Sequence, residues 1–411
     1  MNGLEPRMKP RLLITIYANP DYYPPTVYAV RLLSSYFRIH LLCRNMDEPV
    51  REWPADVTIE RLGEYAQVGD KEAASAAAKL SEYAKFVTRT RALITQLQPA
   101  TVYAYDPHAF VASMIGRIGR RSTPLIFHLH ELPETDLPWS SLQKWVDIAA
   151  LRGTSSADAL VFPEEYRARH WLAAAGDSRV PIIVPNCPER AYFAAPEDWS
   201  ATIAARYQAR ELVYVGQAAA DNGHLEGLRA LAMTDGGIRM RVIGGYRQDF
   251  AARFNTLAHE LGVAERVSLD GWLPQAELIA RASAASAGLS LHKPVLRGLE
   301  YLGSASNKLF EYAAMGLPVV VPERASYRDF LGDAEWVTYA DIDEPASIAH
   351  AITSIFADRE RYASMSRAAR RAFEDQYNYE RVFAPALERI FELSGVPKSG
   401  RATACGLAEA S

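Results

Sequence analysis

The chain has 411 residues, 49% hydrophobic and 23% charged, which excludes disorder, collagen and coiled coil as whole-chain descriptions. Lys and Arg number 45 against 49 Asp and Glu, a net charge of -4, so the basic excess of a nucleic-acid binder is missing and no nucleic-acid partner is expected. At roughly 150 residues per domain the length fits two or three domains, each able to bury its own core.

In chain order, short apolar runs rich in β-branched residues alternate with amphipathic stretches. Leu12–Tyr17 predicts a buried first strand; it is too short for a signal segment, and no run approaches the ~18–20 apolar residues of a membrane span. Further strands are predicted at Ile39–Cys43, Thr101–Ala104, Leu125–Leu129, Ala159–Phe162 and Ile182–Val184, with helices at Glu72–Leu97 and Trp139–Leu151 between them. A second series follows at Leu212–Val215, Met240–Ile243, Val267–Leu269, Ala287–Leu291 and Val319–Val321. Its intervening helices are His224–Ala232, Gln248–Leu261, Pro274–Ala282 and Asn307–Met315. Continuous apolar strands alternating with helices predict parallel sheets covered on both faces, an α/β fold of two doubly wound, Rossmann-like domains.

The proline-rich stretch after Pro185 marks the boundary. The expected organisation is an N-terminal domain over 1–195, a second over 196–376, a helix over 377–394 crossing back to the first domain, and a flexible tail over 395–411. Two such domains are expected to face a central cleft, because parallel sheets bind ligands at the carboxyl ends of their strands. Cys43, Cys187 and Cys405 form no CxxC pattern, so no disulfide framework or zinc site is expected and a reducing, cytoplasmic home fits. Peripheral contact with the inner face of a membrane stays open. No paired-aspartate motif stands out, so no metal and no cofactor are predicted.

Two nucleotide signatures are missing. After the first strand the chain reads Tyr17-Ala18-Asn19-Pro20-Asp21, without the glycines a dinucleotide turn needs, and no GxxxxGK[ST] occurs. The informative segment is Ser304 to Val321. Ser306 is expected to cap a helix, Leu309, Phe310 and Ala313 to face a core, and Gly316 to end the helix before a strand. Free amides and the positive dipole end at that helix start suit an anion, and Lys308 in the first turn adds charge. Glu311, one turn in, suits sugar hydroxyls. A plain surface helix with exposed Lys and Glu is the simpler alternative.

The run Asn307-Lys308-Leu309-Phe310-Glu311-Tyr312-Ala313-Ala314-Met315-Gly316 resembles the donor-binding helix of retaining GT-B glycosyltransferases of the large family 4 type. In order before it, Leu212–Gln217, Arg241–Gly245 and Val267–Pro274 are similar to that family's donor-domain blocks, and Pro124–Glu131 to its strand ending in a cleft histidine. The resemblance implies metal-independent transfer of a hexosyl or related group from a nucleotide-sugar donor to a hydroxyl acceptor, with retention. It implies that Glu311 holds the ribose, that amides near Ser306, Asn307 and Lys308 bind the diphosphate, and that Trp272 and Leu273 flank the base. Gly216 and Gln217 would form the phosphate-facing turn, with Gly244 in the next, and His130 would contact the transferred sugar from the opposite domain.

The chain departs from the family at two places. Gly303 stands where a second glutamate is common, and the Arg/Lys pair after the donor-domain glycine is absent; Lys293, Arg297 and Lys308 are the expected substitutes. Tyr22-Tyr23-Pro24-Pro25-Thr26 replaces the family's glycine-rich loop, so Tyr22 joins Asp106 and His108 as acceptor-side candidates, Asp106 alternatively being a helix cap. His128 and His130 are assigned to opposite faces of their strand, with His130 at the cleft. Trp139, Trp145 and Trp171 are read as packing residues. The rival readings are a sugar-nucleotide epimerase of the same fold and a non-catalytic nucleotide-sugar-binding protein.

Overall fold

Strands covered by helices on both faces need apolar side chains on both, and Leu12, Leu13 and Ile14 in succession are at most 1% exposed. The computed structural model describes residues 9–49, 51–133 and 137–396. It divides into two compact units, Met1–Val184 with Glu380–Ser411, and Pro185–Tyr379.

In the first unit the strands are β1 (Arg11–Ile16), β2 (Arg38–Met46), β3 (Val57–Ala66), β4 (Thr101–Tyr105), β5 (Leu125–His128), β6 (Ala159–Phe162) and β7 (Ile182–Ile183). They lie parallel in the order β3-β2-β1-β4-β5-β6-β7. The order reverses between β1 and β4, which opens a crevice at their carboxyl ends. The core includes Phe110 stacked on Phe127 at 4.2 Å, with Trp171 edge-on to Phe127 at 5.6 Å.

The second unit repeats the plan. Its strands β8 (Glu211–Val215), β9 (Arg239–Ile243), β10 (Val267–Gly271), β11 (Ala287–Leu289), β12 (Val319–Pro322) and β13 (Val337–Ala340) lie parallel in the order β10-β9-β8-β11-β12-β13. The reversal here falls between β8 and β11. Leu212, Leu228, Ile352 and Met365 lie in its core.

Several details differ from the sequence expectation. Segment 185–195 belongs to the second unit: Asn186 N donates to Ser304 O at 3.0 Å, and Tyr379 N to Pro188 O at 2.9 Å. The stretch 72–97 is interrupted, because Ala74 is extended and Ser75 caps a new helix, Ala76–Leu97, by accepting from Ala78 N at 3.2 Å. The C-terminal helix is likewise two pieces, Tyr379–Val382 and Ala384–Leu393, the latter with Pro385 in its first turn. Its Phe391 packs against Tyr36 and Phe37 at 5.1 and 6.0 Å, inside the first unit. The expected tail falls, from residue 397, outside the described residues. Among the described residues no helix is long and apolar enough to cross a membrane.

Candidate functional site

At the carboxyl edge of the second sheet, three consecutive turns are laced to one another. Gly216 N, just past β8, donates to Ile243 O at 2.9 Å, and Gly244 N, just past β9, donates to Gly271 O at 2.8 Å. A Cβ on Gly244 would lie 1.9 Å from Gly216 O, so no side chain fits there. Gly216 has φ +115, and a Cβ on it would rest 3.5 Å from Lys308 Nζ. The glycines thus bring bare backbone up to the Lys308 ammonium.

Lys308 lies in the first turn of the helix Asn307–Met315. Tyr312 fixes this helix: its buried hydroxyl donates to Leu289 O at 3.1 Å and accepts from Val215 N at 2.9 Å, tying it to β8 and β11. Lys308 Nζ lies 3.2 Å from Tyr214 Oη and 3.0 Å from His292 Nε2, and 4.3 Å from the Tyr214 ring centre. Burial pushes the ammonium down to about 7, against the opposing pull of Glu311. Burial, then the Lys308 charge, holds His292 well below its usual range and His224 down to about 3, so both imidazoles are neutral. His292 therefore accepts from Lys308 on Nε2 and carries its proton on Nδ1.

Ser306 precedes the helix but does not cap it by a side-chain hydrogen bond. Its buried Oγ has no protein partner, and neither does His292 Nδ1. The expected cap is thereby corrected: the hydroxyl remains available beside first-turn amides that have no intrahelical acceptor. A buried polar atom left unpaired is costly, and a polyanionic ligand would satisfy these donors together.

The other donor-side candidates are placed as follows. Asn307 and Glu311 are partly buried in the same helix, and Glu311 is close enough to act on the Lys308 charge. Gln217 is exposed, with its carbonyl accepting from Asn222 Nδ2 at 2.6 Å. Trp272 is 73% exposed in the turn after β10, and Leu273 beside it is partly buried. Lys293 Nζ is engaged by Glu226 Oε1 at 2.8 Å, while Arg297 is exposed at the start of a short helix, Arg297–Glu300. Sequence reasoning missed Arg324, which follows β12 at the same sheet edge. Its buried Nη1 lacks a hydrogen-bond partner and its charge reaches His292. Position just past a strand end was the available signal.

The first unit presents a different edge. Asp106, directly after β4, has φ +61 and accepts from His130 N at 2.8 Å and, through Oδ2, contacts His130 Nδ1 at 3.1 Å. It caps no helix; it orients an imidazole whose Nε2 has no protein partner. His130 stacks on Tyr105 at 4.7 Å. The opposite-face assignment of the two histidines is wrong: two residues apart they share a side, with ring centres 4.7 Å apart. His108 stacks on Tyr17 at 4.9 Å, and burial, then Arg44, lowers it to about 4. Tyr22 is 53% exposed, its hydroxyl 3.4 Å from Glu48 O. Trp171 is a core residue, but Trp139 and Trp145 pack on each other at the surface rather than in a core. Among the described residues no three His, Cys, Asp or Glu side chains gather as a metal site.

Two parallel, doubly wound sheets of this order define the GT-B fold, the architecture of a large class of glycosyltransferases. Residues 225–388, within which Lys308 and Glu311 fall, match the family described as glycosyl transferase-like. The chain is similar to HepE from Anabaena, solved in complex with UDP: TM-score 0.67, 15% identity, covering 94% of this chain and 100% of that one. It is also similar to sucrose-phosphate synthase from Thermosynechococcus elongatus (TM-score 0.71, 16% identity, 95% and 100% covered). A third such structure is WaaG, a glycosyltransferase involved in lipopolysaccharide biosynthesis (TM-score 0.65, 14% identity, 93% and 100% covered). No curated protein matches the chain by sequence.

Proposed function

We propose that the protein transfers a sugar from a nucleoside-diphosphate donor to a hydroxyl acceptor, with retention and without a metal ion. The observation that carries this reading is the side-chain-free Gly216–Gly244 crossing beside Lys308 and the unpartnered Ser306 hydroxyl, which together leave room, charge and a donor for a diphosphate. The HepE structure contains UDP at the fold level of likeness given above, which makes uridine the first base to test.

In this reading the diphosphate takes the amides of Asn307 and Lys308 and the Ser306 hydroxyl. Its arrival raises the affinity of Lys308 for a proton, so the ammonium is fully charged when the leaving diphosphate gains charge. Neutral His292 and Tyr214 hold that ammonium in position without competing for charge. Glu311 accepts from the ribose hydroxyls. Asp106 fixes the His130 tautomer, leaving Nε2 without a protein partner and able to meet a sugar hydroxyl. The leaving diphosphate itself takes the acceptor proton, and the sugar keeps its anomeric configuration.

Thermal unfolding with UDP-, GDP- and dTDP-sugars tests the donor half, since a bound donor stabilises the fold by mass action. One of the three is expected to raise the midpoint, and Glu311→Ala to weaken that donor by about 1–3 kcal/mol through lost charge-assisted hydrogen bonds. No shift with any donor sinks the reading. NMR of the product's anomeric proton tests retention, and donor turnover without acceptor would favour epimerisation instead.

A further inference from the structure

Two adjoining cavities lie at the carboxyl edge of the first sheet, and their linings differ in charge. One, of about 450 Å³, is lined by Arg44, Lys71 and Lys79 together with Ser140 and Ser141; no carboxylate lines it among the described residues. The other, of about 360 Å³, is lined by Asp106, Tyr23 and Glu131. Tyr17, His108 and Gln143 belong to both walls, so a single ligand can occupy the two.

Two cations of the larger cavity share a carboxylate. Arg44 Nη2 and Lys71 Nζ share one carboxylate, Glu82, at 2.9 and 2.5 Å. Their side chains are only 14% and 12% exposed, so water solvates them poorly. Lys79 is a third, partly buried cation on the same wall. His108 is neutral and adds no charge, but its ring stacked on Tyr17 gives the shared wall a flat apolar face. Two partly desolvated cations that share one carboxylate are stabilised by an incoming anion, and Ser140 and Ser141 supply hydroxyl donors beside them.

We propose that the acceptor carries a phosphate group, held in the cavity of Arg44, Lys71 and Lys79, while its reacting hydroxyl occupies the adjoining cavity beside Asp106. This rests on the glycosyl-transfer reading and deepens it by naming the acceptor's class: a phosphorylated hydroxyl compound, either a soluble sugar phosphate or a lipid phosphate headgroup.

The test uses the full chain with UDP at saturation, so that the donor cradle is filled. Calorimetry with glucose 6-phosphate and with glucose measures the soluble source; co-sedimentation with phosphatidylcholine vesicles, with and without phosphatidic acid, measures the lipid source. Glucose 6-phosphate is expected to bind at least tenfold more tightly than glucose, or phosphatidic acid to recruit the protein. Lys79→Gln alone, and Lys71→Gln with Lys79→Gln, are expected to weaken that binding tenfold or more while the UDP-induced thermal shift is retained. Phosphate dependence on the soluble probe identifies the first source, and on vesicles the second. If neither probe prefers phosphate, or the variants bind as well as the parent while UDP still binds, the proposal is overturned and the donor reading stands. Absence of a thermal shift with UDP, GDP and dTDP donors alike in the parent chain overturns the donor reading instead.

Discussion

At the carboxyl edge of the second sheet, β8 runs into Gly216 and β9 into Gly244, and the chain there is bare backbone laced by its own amides. At the switch point of the first, β1 runs into a turn that its side chains fill. Asn19 is 2% exposed, donates to Met46 O at 2.9 Å and accepts from Arg61 Nη1 at 3.0 Å; Asp21 accepts from Arg61 and from Trp53 Nε1, each at 3.1 Å. The strand orders match, yet one edge is kept clear of side chains by its glycines and the other is filled by an ion-paired network. What the first edge offers a ligand is therefore side chains, above all those of Asp106 and of the basic cavity. Whether a doubly wound sheet binds phosphate through its backbone depends on what the residues after its strands allow.

The most damaging change to this contrast is Gly244→Ala, which puts a methyl group against Gly216 O and forces the turns apart. A stability loss of about 1–3 kcal/mol and no donor-induced rise in melting midpoint are expected, both read by thermal unfolding. A variant that still binds donor would mean the backbone is not the cradle.

Next comes Lys308→Met, expected to lower kcat about 100-fold with a smaller change in KM, as steady-state kinetics will show. The same residue sets a pH dependence. Its folded value of about 7 lies below the ordinary 10.5, so the unfolded chain holds more protons between them. Stability should rise with pH across that interval, while donor affinity, which needs the ammonium, should fall as pH climbs above about 7. Both trends should vanish in Lys308→Met; calorimetry across the range decides it. The flanking His224 and His292 are neutral throughout this window.

The smallest effect sharpens the other edge. Asn tolerates the left-handed conformation at position 106, so Asp106→Asn keeps the turn but cannot accept the His130 Nδ1 proton through its amide nitrogen. A roughly tenfold lower kcat with an unchanged donor shift is expected. Weakened donor binding would show that the two edges are not chemically separate.

The alternation of apolar runs and helices was legible because buried parallel strands leave little choice of residue. β3 and β13 were not: each is an edge strand with polar, partly exposed residues, as in Val57-Thr58-Ile59-Glu60-Arg61, and its pattern resembles a loop. In the site, Lys308 and Glu311 stood out because their charges interrupt an otherwise apolar helix. Tyr214, His224 and His292 did not, since they gather around Lys308 only when strands far apart in sequence become neighbours. Ser306 was legible as a residue but misread in role: the spacing of a cap was present, and the hydrogen bond is absent.

The helix Ala384–Leu393 belongs to the unit whose other residues precede Pro185. Phe391 on Tyr36, and the Ser394 hydroxyl 2.7 Å from that of Thr101, join chain ends separated by the whole second unit. On the ribosome, the earlier-made half must therefore wait, with the face around Tyr36 and Phe37 uncovered, until nearly four hundred residues have been synthesised. The later-made half, contiguous in sequence, has every one of its own parts in hand first, so order of synthesis and order of completion are reversed.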